Sequence, residues 1–323
     1  MDYRKKYLFL LVSMILVSSL PIDCRSKLDD FDGKAFGCDK DCVEKTDYFK
    51  TEHNTHITTL ANKDGKKYIV KQDSRNQLSW HMSVARDMLG SYIAQSVDVP
   101  ANKVEIIPSY SSFPGKKNNY LPATLHEVVP GIKLTHLPPD LREFKVFIQQ
   151  PVKATVPEKS WGLTRRVIQN MARHKDLPKI VALDTFIANA DRHGGNFFYC
   201  SQANRYYAID LESSFDKNLA RYACSLIRAM LDNQDEIITE QELEGLYVYH
   251  KTLKRLLKRH SPESIYEKLH EFSLQGGLVS RSARKIILSK LDMYQGYITE
   301  NYASCEKLVI LLDKLMLKHR AKK

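Results

Sequence analysis

Oxygen-bearing side chains are concentrated in one short stretch of the chain. Asp191 begins the run Asp-Arg-His-Gly-Gly-Asn that ends at Asn196, and Asp210 lies fourteen residues after Asn196. If residues 201–204 form a turn, antiparallel pairing of the flanking residues places Asn196 opposite Ile209 and beside Asp210. An amide oxygen and a carboxylate are hard ligands, and they suit magnesium bound through phosphate oxygens better than zinc.

The loop before this pair of ligands carries further polar groups. Asp191 could accept a proton from an incoming hydroxyl or orient that hydroxyl. Arg192 or His193 could neutralise the charge of a phosphoryl group in transfer. The glycines at 194 and 195 permit a tight turn and a close approach of substrate. The pattern therefore indicates phosphate chemistry at a loop between a helix and a hairpin.

Two segments carry a resemblance to a known family. The run at 191–196 and the segment Ile-Asp-Leu-Glu-Ser-Ser-Phe at 209–215 resemble parts of the phosphatidylinositol 3- and 4-kinase superfamily, which includes the bacterial HipA-like protein kinases. The superfamily pattern is Asp-Arg-His-x-x-Asn, followed by a strand that ends in a metal-binding Asp. The resemblance is specific over residues 184–215 and only topological elsewhere.

The resemblance implies roles for the residues that match the pattern. Asp191 takes a catalytic role and His193 supports phosphate transfer. Asn196 and Asp210 coordinate the metal, which would be Mg²⁺ or Mn²⁺, and ATP would be the phosphate donor. After Asp210 the chain reads Leu-Glu, where many protein kinases carry Phe-Gly.

An ATP-binding lobe needs a lysine on a strand, within reach of the nucleotide phosphates. Alternating residues over 57–72 predict a hairpin around an Asp-Gly turn, and this register places Lys71 opposite Thr58. The preceding loop, 52–56, would cover the phosphates, but it contains no glycine. Asp87 is the only acidic residue in the next predicted helix, and it is the candidate partner for Lys71. Lys71 and Asp210 must both lie within reach of one triphosphate.

A second connection is a candidate for binding adenine. The run Leu-His-Glu-Val-Val-Pro-Gly at 125–131 resembles the hinge of the family, a strand that ends in Pro-Gly. The backbone of Glu127 and Val129 would then form hydrogen bonds with the base. An edge strand that simply ends in a turn is the alternative.

The elements around these residues predict an α+β fold. Strand patterns, a helix at 83–97 and a Pro-Gly turn make a small β-rich lobe over 49–131. From 132 to the C-terminus the patterns are mostly helical, with a hairpin at 196–210. This bilobal layout is that of the protein-kinase-like fold which the resemblance implies. We therefore predict an N-lobe at 49–131 and a larger helical C-lobe at 132–323.

The first residues have the layout of a signal peptide. Basic residues at 4–6 precede an uncharged apolar run at 7–20 that is short for a membrane span. We expect a signal peptide within 1–24, with an uncertain cleavage site, and a polar lead-in over 25–48. Export to a secretory lumen, the exterior or a host is the expected location, and an uncleaved membrane anchor is the alternative.

Export would affect both the thiols and the supply of ATP. The chain has six cysteines, of which Cys38 and Cys42 could form a disulfide after export, while six reduced cysteines are the alternative. ATP is scarce outside cells. An exported kinase would therefore act in a secretory lumen or in another cytosol.

The charge of the chain restricts its partners. Of the 323 residues, 43% are hydrophobic and 27% are charged, values that exclude a disordered chain, and the formal net charge is +11. No nucleic-acid motif is present, so nucleic acid is not expected as a partner. One face of the helix at 251–259 is basic and could dock on an anionic membrane or an acidic partner. A solvated face over a packed stripe is the alternative. The basic residues are Lys251, Lys254, Arg255, Lys258 and Arg259.

The combined hypothesis is an ATP-dependent kinase with Asp191 as the catalytic base. Its acceptor would be a hydroxyl of a protein or of a phosphoinositide lipid, and the chain contains no obvious accessory lipid-binding domain. The same fold allows two alternatives. A nucleotide-binding scaffold without activity would explain the missing glycines, and an adenylate transferase would use the same ATP site.

Overall fold

The computed structural model describes most of the chain from residue 56 onward. The described residues are 56–63, 66–73, 77–110, 121–133, 163, 165–189, 191–192, 194–200, 202–215, 218–233, 238–274 and 281–320. The expected signal peptide, the lead-in, the pair Cys38 and Cys42, and the loop at 52–55 lie outside these residues.

The elements form an α+β fold that is mostly helical with small sheets, as expected. The strands are β1 (His56–Lys63), β2 (Lys66–Asp73), β3 (Val104–Tyr110), β4 (Leu121–Glu127), β5 (Ile132–Lys133), β6 (Phe197–Cys200) and β7 (Arg205–Ala208). The helices are α1 (Gln77–Ser96), α2 (Arg165–Met171), α3 (Leu177–Phe186), α4 (Leu219–Asp232), α5 (Glu240–Arg259), α6 (Pro262–Leu274) and α7 (Arg281–Arg320). A 3-10 turn at Gly194–Asn196 precedes β6.

The first sheet positions the strand lysine. Its strand order is β1-β2-β4-β3, and all neighbouring strands are antiparallel. Thr58 pairs with Lys71, which confirms the register expected from the sequence. Because Lys71 also pairs with Thr124 of β4, its strand is central and its backbone is held from both sides.

The second sheet positions the polar hairpin. Its order is β5-β6-β7, and Cys200 pairs with Arg205, as the turn position predicted. The segment that enters β3 joins this hairpin to the first sheet. Ala208 N donates to Pro100 O at 3.0 Å, and Asn102 N donates to Ala208 O at 3.1 Å. Backbone hydrogen bonds therefore connect the first sheet, which carries Lys71, to the hairpin.

Helix α1 belongs to the main core rather than to the small sheet alone. Buried residues such as Leu89 and Ile93 lie in one hydrophobic cluster with buried residues of α3, α5 and α7. At the C-terminal end of α1, Ser96 Oγ lies 2.6 Å from Nε2 of His260, the residue that follows α5. The helix also begins six residues earlier than the sequence patterns predicted. One continuous core therefore extends from α1 into the helical part of the chain.

The C-terminal helices agree closely with the sequence patterns. Thr239 and Glu242 form a capping box at the start of α5, with hydrogen bonds of 2.8 and 3.2 Å. Residues 281–320 form one helix of 40 residues, α7. Leu308 and Leu312 are buried in the core, whereas Ile310 is 55% exposed. No helix of the described part is long and apolar enough to cross a membrane.

We predict that Gly131→Ala destabilises the protein, because this position requires a glycine. Gly131 has a φ of +122°, and an added Cβ would lie 2.5 Å from Tyr199 O. The strain should cost about 1–3 kcal/mol of unfolding free energy, measured by urea denaturation. Gly296→Ala is the control, since nothing lies within 4 Å of that position in α7, and it should stabilise by about 0.5–1 kcal/mol. Equal midpoints for the two variants would contradict the prediction.

We predict that acid lowers the stability of the protein through His260. Burial, and then the neighbouring Arg259, hold the pKa of His260 below its ordinary value. Below about pH 6.5 the unfolded chain therefore binds a proton that the folded chain does not. The stability of wild type relative to His260→Gln should fall with decreasing pH, by at most about 1.4 kcal/mol per unit. Urea denaturation across this range measures it, and a constant difference would rule out the effect.

Candidate functional site

The loop after α3 is held rigidly through its backbone. Asn189 Nδ2 donates to Asp184 Oδ1 at 3.2 Å, and Asn189 Oδ1 accepts from Asp191 N at 3.2 Å. On the other side, Asn196 Nδ2 donates to Asp191 O at 2.8 Å. The side chain of Asp191 is nevertheless exposed. The fold therefore fixes the position of Asp191 and presents its carboxylate to solvent.

Arg192 has a different place from the one that its sequence suggested. It is 2% exposed and forms a two-pronged ion pair with Asp184, at 3.0 and 2.9 Å. Its remaining amine, Nη1, donates to Asn196 O at 2.7 Å and to Ile209 O at 2.6 Å. A guanidinium that uses its donors inside the core cannot also reach a phosphoryl group. We correct the expected catalytic role of Arg192 to a positioning role.

Asp184 was missed as part of the site. It is the only acidic residue of α3, a helix whose residues are almost all buried. Buried carboxylates need a partner, because an isolated buried charge is very costly. A single carboxylate in an apolar helix was therefore a sequence signal for a nearby buried cation.

Asn196 and Asp210 come together at the end of the hairpin. Ile209 N donates to Asn196 O at 3.1 Å, which continues the β6–β7 register and confirms the pairing predicted from the sequence. Asp210 has a φ of 59°, in the left-handed region that non-glycine residues rarely adopt. Residues held in this region often lie at functional sites, where the surrounding structure determines the strained conformation.

Lys71 contacts Asp210 across the two sheets. Lys71 Nζ lies 3.3 Å from Asp210 Oδ1, and the side chains are 17% and 25% exposed. Burial tends to lower the pKa of Lys71, but the carboxylates of Asp210, Asp87 and Glu212 outweigh it and raise that pKa above its ordinary value. Lys71 therefore stays charged in a cluster of carboxylates. The expected meeting of Lys71 with Asp210 is seen.

Asp87 contributes to the same cluster from α1. It is 2% exposed, and its Oδ1 accepts a hydrogen bond of 3.1 Å from the backbone N–H of Leu211. The pKa of Asp87 is raised to about 7 by burial, against the opposing effect of Lys71, while Asp210 and Glu212 raise it further. Asp87 thus fixes the chain directly after Asp210. Its charge also favours the protonated form of Lys71, although the two side chains do not form a close ion pair.

His126 supports Asp87 and was not assigned a role from the sequence. Its Nε2 lies 3.3 Å from Asp87 Oδ2 and 2.8 Å from Thr124 Oγ1. Its Nδ1 lies 2.8 Å from Asn102 Nδ2, which donates to it when Nδ1 is unprotonated. The ring then carries its proton on Nε2, where Thr124 Oγ1 is the hydrogen-bond partner and the Asp87 carboxylate is a more distant neighbour. These residues come from distant parts of the sequence, so no local pattern could have linked them.

The segment after Asp210 packs against α1. A Cβ at Gly90 would lie 2.7 Å from Leu211 Cβ, so the glycine makes room for the side chain of Leu211. Arg86 Nη1 donates to Ser214 O at 3.3 Å, and Ser214 Oγ donates to Leu211 O at 2.5 Å. Together with Asp87, these contacts hold the chain after Asp210 on the surface of α1.

The connection after β4 supplies the expected hinge residues. Glu127 pairs with Tyr68 of β2, and its backbone N–H donates to Lys103 O at 2.8 Å. That N–H is therefore occupied within the protein. Val129 is buried, at 8% exposure, and lies close to Gly131 in sequence. The role of these two residues as adenine contacts stays a prediction.

The residues at the end of the hairpin fit a divalent cation. The amide nitrogen of Asn196 is committed to Asp191 O, which fixes the orientation of its Oδ1, and a metal ligand requires such fixing. Asp210 adds a carboxylate, and phosphate or water oxygens would complete the shell. Among the described residues no group of three or more His, Cys, Asp or Glu side chains could hold a metal by itself. His193, expected to assist, lies outside the described residues.

Comparisons with known proteins show neither a family nor an activity. No family model matches the chain, and no curated protein matches it. One similar solved structure is a proinflammatory kinase of Helicobacter pylori, CtkA, with 13% identity, a TM-score of 0.45 and coverage of 79% of this chain and 93% of that chain. Another is from the HipA, HipB and operator DNA complex of Shewanella oneidensis, with 14% identity, a TM-score of 0.43 and coverage of 86% and 67%. At these values the similarities carry no argument.

We predict that Arg192→Met breaks the site by leaving Asp184 charged and unpaired in the core. The loss should be about 3–5 kcal/mol of unfolding free energy, measured by urea denaturation. The double variant Arg192→Met with Asp184→Leu removes both charges and should recover part of that loss. The unfolding free energy of the double variant should stay about 1–3 kcal/mol below that of wild type, because Asn196 O and Ile209 O still lose their donor.

A control variant shows whether Arg192 positions the loop or behaves like an exposed arginine. Arg284→Met, a change of the same type at an exposed position of α7, should alter stability by less than about 0.5 kcal/mol. If Arg192→Met were equally neutral, or if the double variant were no more stable than the single one, the buried ion pair would not hold the loop.

Proposed function

We propose that this chain is an ATP-dependent kinase that transfers the γ-phosphate to a hydroxyl group. The observation that carries the proposal is the contact between Lys71 Nζ and Asp210 Oδ1 at 3.3 Å, with Asn196 paired next to Asp210 on the hairpin. A strand lysine, an amide and a carboxylate within reach of one triphosphate are the parts that phosphoryl transfer requires.

Lys71 would bind the phosphates of ATP. It is a charged lysine on a central strand, and it points into a cluster of carboxylates rather than toward bulk solvent. In phosphoryl transfer, such a lysine holds the nucleotide phosphates as a point charge. Asp87 on α1 supports this charge, and the backbone around Glu127 and Val129 is the proposed contact for adenine.

Asp191 would act as the base. Its carboxylate is exposed while its backbone is held on both sides, so it can meet an acceptor without moving. The acceptor hydroxyl gives its proton to Asp191 as its oxygen forms a bond to the γ-phosphorus. The bond from that phosphorus to the bridging oxygen breaks, and ADP leaves. His193 is proposed to stabilise the charge of the transferred group.

Asn196 and Asp210 would hold Mg²⁺ or Mn²⁺. When bound, the cation would neutralise phosphate charge and lower the barrier to transfer. The contribution of the chain is the fixed amide of Asn196 and the strained, carboxylate-bearing Asp210. Arg192 stabilises this arrangement from inside, through the carbonyls of Asn196 and Ile209.

A protein hydroxyl is proposed as the acceptor in preference to a phosphoinositide. The compact layout of the chain favours a protein substrate, and the two lobes would close around ATP as in protein-kinase-like folds. If the N-terminal segment directs export, the reaction would take place in a secretory lumen or in another cytosol that contains ATP.

The experiment follows the α- and the γ-phosphate of ATP separately. The purified chain is incubated with Mg²⁺ and with ATP labelled at the α- or the γ-phosphate, alone, with mixed protein acceptors, and with phosphatidylinositol vesicles. We expect γ-label on protein, or on lipid if the acceptor preference is wrong. Asp191→Asn should lower the rate by about 10²–10⁴-fold and leave ATP binding intact, as measured by thermal shift.

The control and the other outcomes decide between the candidate functions. Asp292→Asn, an exposed carboxylate of α7, should transfer at the wild-type rate. Transfer of α-label instead of γ-label would indicate an adenylate transferase. ATP binding without any transfer would indicate a nucleotide-binding scaffold, and no binding of ATP would overturn the proposal.

A further inference from the structure

The C-terminal helices expose a second charged feature, apart from the carboxylate cluster. On α5, the positions i, i+4, i+7 and i+11 form one exposed stripe that is mostly basic. This stripe consists of Tyr247, Lys251, Lys254 and Lys258, with Arg255 beside it. Opposite the stripe, Leu253 and Leu256 are buried in the core. The amphipathic pattern expected from the sequence is therefore present, and Arg259 lies at its edge.

A stripe of α7 lies directly beside this one. Lys254 Nζ contacts both carboxylate oxygens of Asp313 at 3.1 Å, and Tyr302 OH donates to Leu257 O at 3.0 Å. The two helices therefore run side by side in opposite directions. Ile310 and Leu317 lie three residues before and four residues after Asp313, on the same side of α7. The basic stripe and these apolar residues consequently share one surface.

The apolar residues of this surface are unusually exposed. Ile310 is 55% exposed and Leu317 is 63% exposed, and Tyr247 on α5 is 47% exposed. Single exposed apolar residues are common, but these three adjoin the basic stripe. Their acidic neighbours are Asp313, Glu306 one turn before Ile310, and Glu244 one turn before Tyr247. We name this surface the α5–α7 face. It consists of Tyr247, Lys251, Lys254, Arg255, Lys258, Ile310, Asp313, Lys314 and Leu317.

We propose that the α5–α7 face docks the protein on an anionic lipid bilayer. Its five basic residues outnumber the carboxylates of Asp313 and of the neighbouring Glu244 and Glu306, and they would meet the anionic headgroups. The apolar side chains between them would enter the boundary between headgroups and acyl chains, as in helices that lie in the membrane interface. This inference does not depend on the proposed kinase activity, and it would bring any activity to a membrane surface.

Other occupants fit the face less well. A second copy of the chain would bring two positive surfaces together, and like charges oppose that contact. Nucleic acid would use the basic residues, but aliphatic side chains such as Ile310 and Leu317 contribute nothing to phosphate contacts. An acidic protein would match the charge, and it is tested as a separate outcome. The lipid surface uses both the charge and the exposed apolar residues.

The experiment compares two triple variants of the full-length chain that lose the same charge. Lys251→Gln, Arg255→Gln and Lys258→Gln alter the α5–α7 face. The matched control carries Lys175→Gln, Arg284→Gln and Lys285→Gln, which are exposed elsewhere. Positions 284 and 285 lie about 40 Å along α7 from Ile310, at 1.5 Å per residue. Binding is measured by sedimentation with phosphatidylcholine vesicles that contain about one third phosphatidylserine.

The face variant should bind these vesicles about 100-fold more weakly than wild type, because each of the three cations it loses contributes roughly fivefold. The matched control should change by less than about threefold, since its charges do not reach the membrane. Pure phosphatidylcholine vesicles should bind all three proteins equally, with any contribution from residues 7–20 unchanged. Equal losses in the two variants would overturn the proposal.

A local probe makes the result independent of the N-terminal segment. Leu317→Trp should show a blue-shifted emission with the phosphatidylserine vesicles after subtraction of the wild-type spectrum, and no shift with phosphatidylcholine alone. Ile310→Gln should weaken vesicle binding by about three- to tenfold without changing its salt dependence. If phosphatidylserine vesicles did not shift the emission of Leu317→Trp, the lipid assignment would be contradicted. Binding of the face to a soluble acidic protein but not to vesicles would contradict it as well.

Discussion

The ion pair between Arg192 and Asp184 is the interaction on which the candidate site depends. It joins three segments, since Arg192 contacts α3 through Asp184 and reaches the carbonyl groups of Asn196 and Ile209. These carbonyls belong to the residues that begin and end the polar hairpin. A buried charge pair of this kind contributes little net stability compared with a hydrophobic substitute, but breaking one side of it is very costly. Its value here is geometric, because it fixes the loop of Asp191 relative to Asp210.

A second set of contacts connects this arrangement to α1. Asp87 holds the N–H of Leu211, and Gly90 admits the Leu211 side chain. Helix α1 is in turn held by the main core and by the contact of Ser96 with His260. A change in the position of α1 would therefore move the chain directly after Asp210. The same core that stabilises the helical part of the protein thus determines the geometry of the polar cluster.

Sequence patterns predicted the local parts of this site. The registers of Lys71 with Thr58 and of Asn196 with Ile209 followed from turn positions, because hairpin geometry is determined by adjacent residues. The inward direction of Arg192 could not be predicted in this way, since it depends on the burial of Asp184 in a helix that packs against distant elements. The predicted start of α1 was also wrong: the helix begins at Gln77, and Met82, one residue before the predicted start, is buried in the core.

The support of Asp87 by His126 is the clearest example of what local patterns omit. His126 lies on β4 and Asn102 before β3, and only the pairing of strands brings both to the side of α1 where Asp87 lies. Sequence reasoning identified Asp87 as a candidate partner for Lys71 by composition alone. The structure gives it a more specific function, which is to fix the backbone beside Asp210 while adding negative charge near Lys71.

The charges in the cluster have a consequence for ligand binding. Asp87, Asp210 and Glu212 lie around one lysine. Burial is the main cause of the raised pKa of Asp87, and repulsion from Asp210 and Glu212 raises that pKa further. A divalent cation beside Asp210 would relieve this repulsion and would favour the ionised form of Asp87. The contact between Lys71 and Asp210 would then be replaced by separate contacts of each residue with the ligand. A site with excess carboxylate charge around a fixed lysine is therefore suited to take up a metal and phosphate together. The metal offsets the carboxylate charge that repels phosphate, and the phosphate offsets the lysine charge that repels the metal.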